Sequence, residues 1–185
     1  MLGLAIAGCM PAPPLVLKST SDPARHDGSV AVHAPLQPDC IVSISSITDK
    51  RTDPTTLGTV AGRPVHTPQD ISQWLAKEFR GLGKYNVVLS DHDVRNAGVK
   101  IDIELLTAWV TELRMAKTAN VVIGIHLSGR DDGSDNGRKF YRGTSNGVNW
   151  ASGDAELQGM IDDAFGQIMK AASADIRTFC KAERG

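Results

Sequence analysis

From residue 40 onward the chain alternates apolar and polar residues with a period of two, interrupted in two places by a period near 3.6. Ile41-Val42-Ser43-Ile44-Ser45-Ser46-Ile47, opening at Cys40, is rich in β-branched residues and reads as a first strand. Residues 100–117 set Ile101, Ile103 and Leu105 against Asp102 and Glu104 in what reads as one long strand. Residues 120–129 repeat the pattern, with Val121, Ile123, Ile125 and Leu127 opposite Val122, Gly124, His126 and Ser128. Residues 85–89 and 139–150 add a short and a long strand. The first helical stretch carries Ile71, Trp74, Leu75, Phe79 and Leu82 in one stripe. Thr67 is a natural N-cap for it, Pro68 suits the first turn, Asp70 sits at the positive end of the dipole, and Gly81 and Gly83 end it. A second helix follows Gly153-Asp154, with Leu157, Ile161, Ala164, Ile168, Ala172, Ile176 and Phe179 along one face.

The predicted order is β-α-β-β-β-β-α, an α+β fold with a four- to five-stranded, largely antiparallel or mixed sheet. Alternating strands are apolar on one side only, so both helices are expected on the same face. The other face stays wet or meets a partner.

Residues 10–38 hold six of the nine prolines among Ala, Ser, Asp and His. Such a segment buries too little apolar area to offset chain entropy and reads as an extended tether, with 14–17 and 30–32 as candidates only for short edge strands. The expected organisation is therefore a leader over 1–9, a tether over 10–38 and one domain over 39–185. With 41% apolar and 22% charged residues in 185, the chain as a whole is of globular composition. Its net charge of −1 and basic runs of no more than two residues lack the electrostatic footprint of a nucleic-acid binder. Beyond residue 17 no apolar run approaches the roughly 20 residues that span a bilayer.

Membrane attachment falls to the N-terminus. Leu4-Ala5-Ile6-Ala7-Gly8-Cys9 resembles a bacterial lipobox, whose cysteine is lipidated and becomes the first residue of the mature protein. A secretory signal also has a basic n-region, and the residues before Cys9 carry no charge. Either the start is placed too far downstream or the match is accidental. With Cys9 lipidated, Cys40 and Cys180 remain as an even pair in an oxidising compartment. A bridge between them would staple the two ends of the domain and, on the chain-entropy model, contribute about 4–5 kcal/mol. The alternative is two separate buried thiols.

Candidate chemistry is sparse. In Asp49-Lys50-Arg51-Thr52-Asp53 the Arg51 guanidinium offers a planar fork to an anion or a partner. The plainer reading is a strand-end turn, with Asp49 and Asp53 bonding their own backbone and Arg51 paired locally. Asp91-His92-Asp93 contains metal-binding residue types, but neighbours in a turn rarely converge and no second ligand set completes a sphere. Residues 131–137 have the composition of a calcium loop without its spacing or closing Glu, and read as a hairpin turn. Ser43, Ser45 and Ser46 lie in no Gly-x-Ser-x-Gly elbow, and Cys40 and Cys180 in no Cys-x-x-Cys pair. Trp74 reads as core, whereas Trp109 and Trp150 fit either a core or a stacking surface. No catalytic residue, cofactor or metal is assigned. The candidates for partner contact are Arg51 and, on the polar side of the strands, Asp102, Glu104, His126 and Arg142.

Three segments resemble the YajG-type family of bacterial lipoproteins: Asp49-Lys50-Arg51-Thr52-Asp53, the Phe140-Tyr141-Arg142 strand and the closing helix from Ile161 through Asp175. The order of elements between them is also similar, so the likeness covers roughly residues 40–176. The short leader, the long tether and the cysteines at 40 and 180 depart from the family pattern. A more distant likeness is to auxiliary lipoproteins of ABC transporters. The resemblance implies a non-catalytic lipoprotein of a Gram-negative outer membrane, facing the periplasm. Met10 after the lipidated cysteine fits that address. It implies a binding, accessory or scaffold role, with an unidentified envelope protein as partner and a monomer or small homo-oligomer as the assembly. The alternative role is a small-molecule or lipid carrier of an envelope transport system.

Overall fold

The computed structural model describes residues 14–17, 40–66, 70–90, 98–114, 116–129, 135–148 and 154–183. Cys9, Asp91-His92-Asp93, Trp150 and most of the segments 10–38 and 131–137 lie outside the described residues. The elements run β1 (Leu15–Val16), β2 (Cys40–Asp49), β3 (Gly58–Val60), β4 (Arg63–His66), α1 (Ile71–Phe79), a 3-10 turn (Arg80–Tyr85), β5 (Val87–Leu89), β6 (Val99–Leu113), β7 (Ala116–Gly129), β8 (Asp135–Val148) and α2 (Asp154–Ala182).

Strand β6 is the spine of the sheet. One edge pairs antiparallel with β7 along its whole length, from Val99↔Gly129 to Leu113↔Ala116. The other edge is shared: β2 runs parallel to its first half, and β3 meets it at Gly58↔Val110. β5 lies parallel on the far side of β2, β8 antiparallel on the far side of β7, and β4 and β1 extend outward from β3. The α+β class and the mixed sheet match the sequence reading. The strand number does not, because the sheet has eight strands rather than four to five. The additional strands β1, β3 and β4 are two to four residues long, too short to display a period. β1 lies in the segment read as tether, and Leu15 and Leu17 are buried.

Two further boundaries move. The strand expected over 100–117 ends at Leu113; the chain turns at Arg114, in the left-handed region at φ 55°, and Lys117 belongs to β7. The first helix starts at Ile71, capped by Asp70, whose carboxylate accepts the Ser72 N–H at 3.0 Å. Thr67, the expected cap, lies outside the described residues.

Both helices pack on one face. The α2 stripe Leu157, Ile161, Ala164, Ile168, Ala172 and Ile176 is buried together with Val99, Ile101, Ile103 and Leu105 of β6 and Val121, Ile123 and Ile125 of β7. Trp74 of α1 meets Phe165 of α2 edge-on, centroids 5.0 Å apart at 87°. Cys40 and Cys180 are joined by a disulfide, Cα atoms 5.9 Å apart, fixing the end of α2 to the start of β2. At Gly143 the β8 backbone touches α2: a Cβ there would lie 1.9 Å from the Ala164 carbonyl oxygen.

A polar seam runs along the same contact. The buried Lys117 Nζ lies 2.7 Å from Glu156 Oε2. Asp175 accepts the Tyr141 hydroxyl at 2.8 Å and lies 3.1 Å from Lys139 Nζ. Burial first, then the hydrogen bond and charge of Asp175, raise the Tyr141 hydroxyl above its ordinary value. Gln167 bonds both peptide groups of Thr144, accepting its N–H at 3.3 Å and donating to its carbonyl at 2.8 Å. Its amide thereby stands where a further strand would pair with β8.

Two outcomes test this packing. Gly143→Ala should destabilise the domain by about 3 kcal/mol in denaturant unfolding, since backbone rather than a movable side chain blocks the methyl. Reducing the Cys40–Cys180 bond, which spans 140 residues, should cost up to about 5 kcal/mol in the same assay.

Candidate functional site

The period-two rule puts every second residue of β6, β7 and β8 on the face without helices. The register then decides who sits beside whom. Ser46, Asp102, His126 and Arg138 form one row across β2, β6, β7 and β8. The next row is Thr48, Glu104, Gly124 and Phe140, and beyond it stand Thr107, Val122 and Arg142.

Within the first row Ser46 Oγ donates to Asp102 Oδ1 at 2.6 Å, and His126 Nδ1 lies 3.5 Å from Asp102 Oδ2. Arg138 reaches diagonally across β7 to Glu104 Oε1 at 3.1 Å. Gly124 leaves the centre low, and a hollow of about 320 Å³ opens there, lined by Ser46, Asp102, Glu104, Gly124, His126 and Arg138. The Phe140 ring stands at its rim, 3.4 Å from where a Gly124 Cβ would be. Arg142 Nε donates to Asn120 Oδ1 at 2.8 Å and stays exposed.

The hollow holds serine, aspartate and histidine, yet their order is wrong for acyl transfer. A nucleophilic triad needs the imidazole between hydroxyl and carboxylate, to take the hydroxyl proton. Here the carboxylate lies between, and the Ser46 proton points to it. What the row can do is present paired charges of both signs. Among the described residues no three His, Cys, Asp or Glu side chains converge as a metal site.

Four of the five candidate contact residues, Asp102, Glu104, His126 and Arg142, thus share one face. Arg51 does not join them. Its guanidinium is turned into its own loop, with Nε and Nη2 on Asp49 at 2.8–3.2 Å, Nη1 on the Thr56 carbonyl at 2.9 Å and Nη2 on the Pro54 carbonyl at 3.0 Å. Asp49 also accepts the Arg51 N–H at 3.0 Å, and Asp53 accepts the Thr55 N–H at 2.9 Å. Arg51 is thus paired within a strand-end turn, the plainer of the two sequence readings. Burial alone would push the Asp49 carboxyl up. The hydrogen bonds and charge of Arg51 outweigh that and hold it below the usual carboxylate range.

Sequence reasoning missed Ser46, Arg138 and Phe140. Ser46 enters the row because the β2–β6 register slips between Ile44 and Ser46. Trp109 faces outward for a similar reason: an irregularity between Leu105 and Thr107 reverses the alternation, so Ala108 and Val110 are buried instead.

No family model matches the chain, and no curated protein matches it. Solved structures do share its fold. A Xanthomonas campestris protein of the DUF330 family superposes with a TM-score of 0.54 at 10% identity, over 94% of this chain and 98% of its own. A hypothetical protein from Chlamydia trachomatis gives 0.51 at 11% identity, over 74% of this chain and 97% of its own. A minor lipoprotein from Acinetobacter baumannii overlaps more loosely, with a TM-score of 0.41 at 6% identity over 72% of this chain and 92% of its own, below the level at which a shared fold is argued. At these identities the likeness concerns the fold alone.

The Asp49–Arg51 pair makes a pH prediction. The Asp49 value is lowered on folding, so its contribution is full above the unfolded value of about 4 and is lost as pH falls through the folded value. Asp49→Asn should lower stability at neutral pH and flatten the acid limb in unfolding curves taken between about pH 7 and pH 2.

Proposed function

We propose that the chain is a lipid-anchored lipoprotein of the Gram-negative cell envelope. Acyl chains on Cys9 hold it to the outer membrane, residues 39–185 stand in the periplasm, and the protein acts without catalysis as a binding, accessory or scaffold module. The lipobox-like segment supports the anchor, and the Cys40–Cys180 disulfide suits an oxidising compartment. No helix among the described residues is long and apolar enough to cross a membrane.

The binding role rests on one observation. The helix-free face of a long three-strand platform carries a row of charged and polar side chains beside exposed aromatic rings. Such mixed surfaces suit protein partners. A lipid carrier would hold its cargo between sheet and helices, and there Trp74, Leu75, Phe79, Phe165 and Ile168 fill the space.

Intact mass of the full chain, produced in a Gram-negative host and extracted with detergent without reduction, tests the anchor. Loss of residues 1–8 together with added acyl chains is the expected result; an unprocessed, acyl-free chain overturns it unless a corrected upstream start restores processing. For the docking face, alanine at Asp102, Glu104, His126 and Arg142 together should weaken capture of the partner protein by about tenfold or more, with the unfolding midpoint little changed. Unaltered capture would remove this face from the interface.

A further inference from the structure

Four of the six large apolar side chains exposed among the described residues belong to the helix-free face: Leu113 at 74%, Phe140 at 61%, Val148 at 54% and Trp109 at 36%. Their placement follows from the alternation. Val110, Lys117 and Gly147 point toward the helix layer, where Lys117 meets Glu156 and a Gly147 Cβ would meet Glu156 and Met160, so Leu113, Ala116 and Val148 point away. Leu113 and Val148 flank Ala116 at one end of the face, with Trp109 four residues from Leu113 on β6, whereas Phe140 stands apart beside Gly124; the apolar groups gathered at that end offer an interaction surface.

Across its central rows the face is also polarised: Asp102 and Glu104 stand on β6, Arg138 and Arg142 on β8 and β7 lies between them, while Lys100 of β6 stands one row beyond Asp102. We infer that this face pairs with the same face of a second copy, about a two-fold axis running along β7. This deepens the docking reading above and rests on it. A half-turn about β7 lays β6 of one copy over β8 of the other and leaves each row at its own level. Asp102 then meets Arg138 of the second copy, and Glu104 lies over the Phe140 level. At the far end Leu113 meets Val148, apolar on apolar, and Ala116 meets itself. Along the axis stand Gly124 and Val122, which leave room for two sheets to approach at the usual spacing of about 10 Å. The Asp102–Arg138 and Leu113–Val148 contacts are each made twice, as an isologous interface requires, and His126 faces its own copy across the axis. The competing route, edge pairing through β8, is obstructed where Gln167 holds both peptide groups of Thr144.

Sedimentation equilibrium on the full, oxidised chain carrying Cys9→Ser, so that no acyl group is added, tests the dimer. The chain with only that change should be a reversible dimer across a dilution series. Leu113→Lys and Val148→Glu should each raise the dimer dissociation constant about tenfold or more. The double variant should return to near the parent value, because Lys and Glu then meet across the axis although they stand two strands apart within one chain. A parent chain that is monomeric throughout, or a double variant no tighter than the singles, overturns the inference. If the parent is monomeric while the four open-face alanines release a co-purifying envelope protein, self-pairing falls and the docking reading stands. If those alanines release nothing either, both fall.

Discussion

One-sided burial governs this molecule. The apolar stripe of α2 lies on the inner side of β6, β7 and β8, and each large aliphatic side chain buried there contributes roughly 1.5–3 kcal/mol. The contact is close enough that the β8 backbone meets the α2 backbone at Gly143 with no room for a methyl. Everything else is arranged around that contact. α1 adds to the same layer through Trp74 against Phe165, and the disulfide fixes the far end of α2 to the strand that begins the domain. Because helices cover one face, the period-two pattern sends the remaining half of each strand to the other.

The charged groups fall into two populations with different work. Those on the helix side join elements, Lys117 with Glu156 and Lys139 with Asp175, which also accepts the Tyr141 hydroxyl, while Arg51 ties its own loop through Asp49 and two carbonyls. Lys117 is fully buried, so removing the Glu156 carboxylate leaves a desolvated charge and is costly. Those on the open face, Asp102, His126, Glu104 and Arg138, connect strands already held by backbone ladders. The sheet does not need them to close.

Much of the fold was legible because long, strongly periodic segments declare themselves. The face of β6 as far as Leu105, the face of β7 and the stripe of α2 follow from spacing. Strands β1, β3 and β4 were illegible because two to four residues show no period and are fixed by neighbours distant in sequence. The turn at Arg114 was hidden because no Gly, Pro, Asn or Asp marks it within 113–117, and only a left-handed backbone at Arg114 signals the reversal. The site divides in the same way. Asp102, Glu104 and His126 could be placed on one face from the alternation. That Ser46 and Arg138 complete their row depends on cross-strand register and on irregularities at Ile44/Ser46 and at His126/Ser128, which no linear pattern reports.

The treatment of edge and face points to where this protein meets others. A long edge strand is an aggregation hazard, and β8 has fourteen residues. The chain answers it with α2 packed on β8 and with a glutamine amide that stands in for a neighbouring strand at Thr144. The open face receives no such cover among the described residues. Leu113, Phe140 and Val148 stay exposed there, and Phe140 neighbours the Arg138–Glu104 pair. Protection of the edge, with apolar groups retained on a patterned face, supports the association through that face proposed above. Fixed rows of complementary charge set the register of such an encounter, and the apolar groups supply the area.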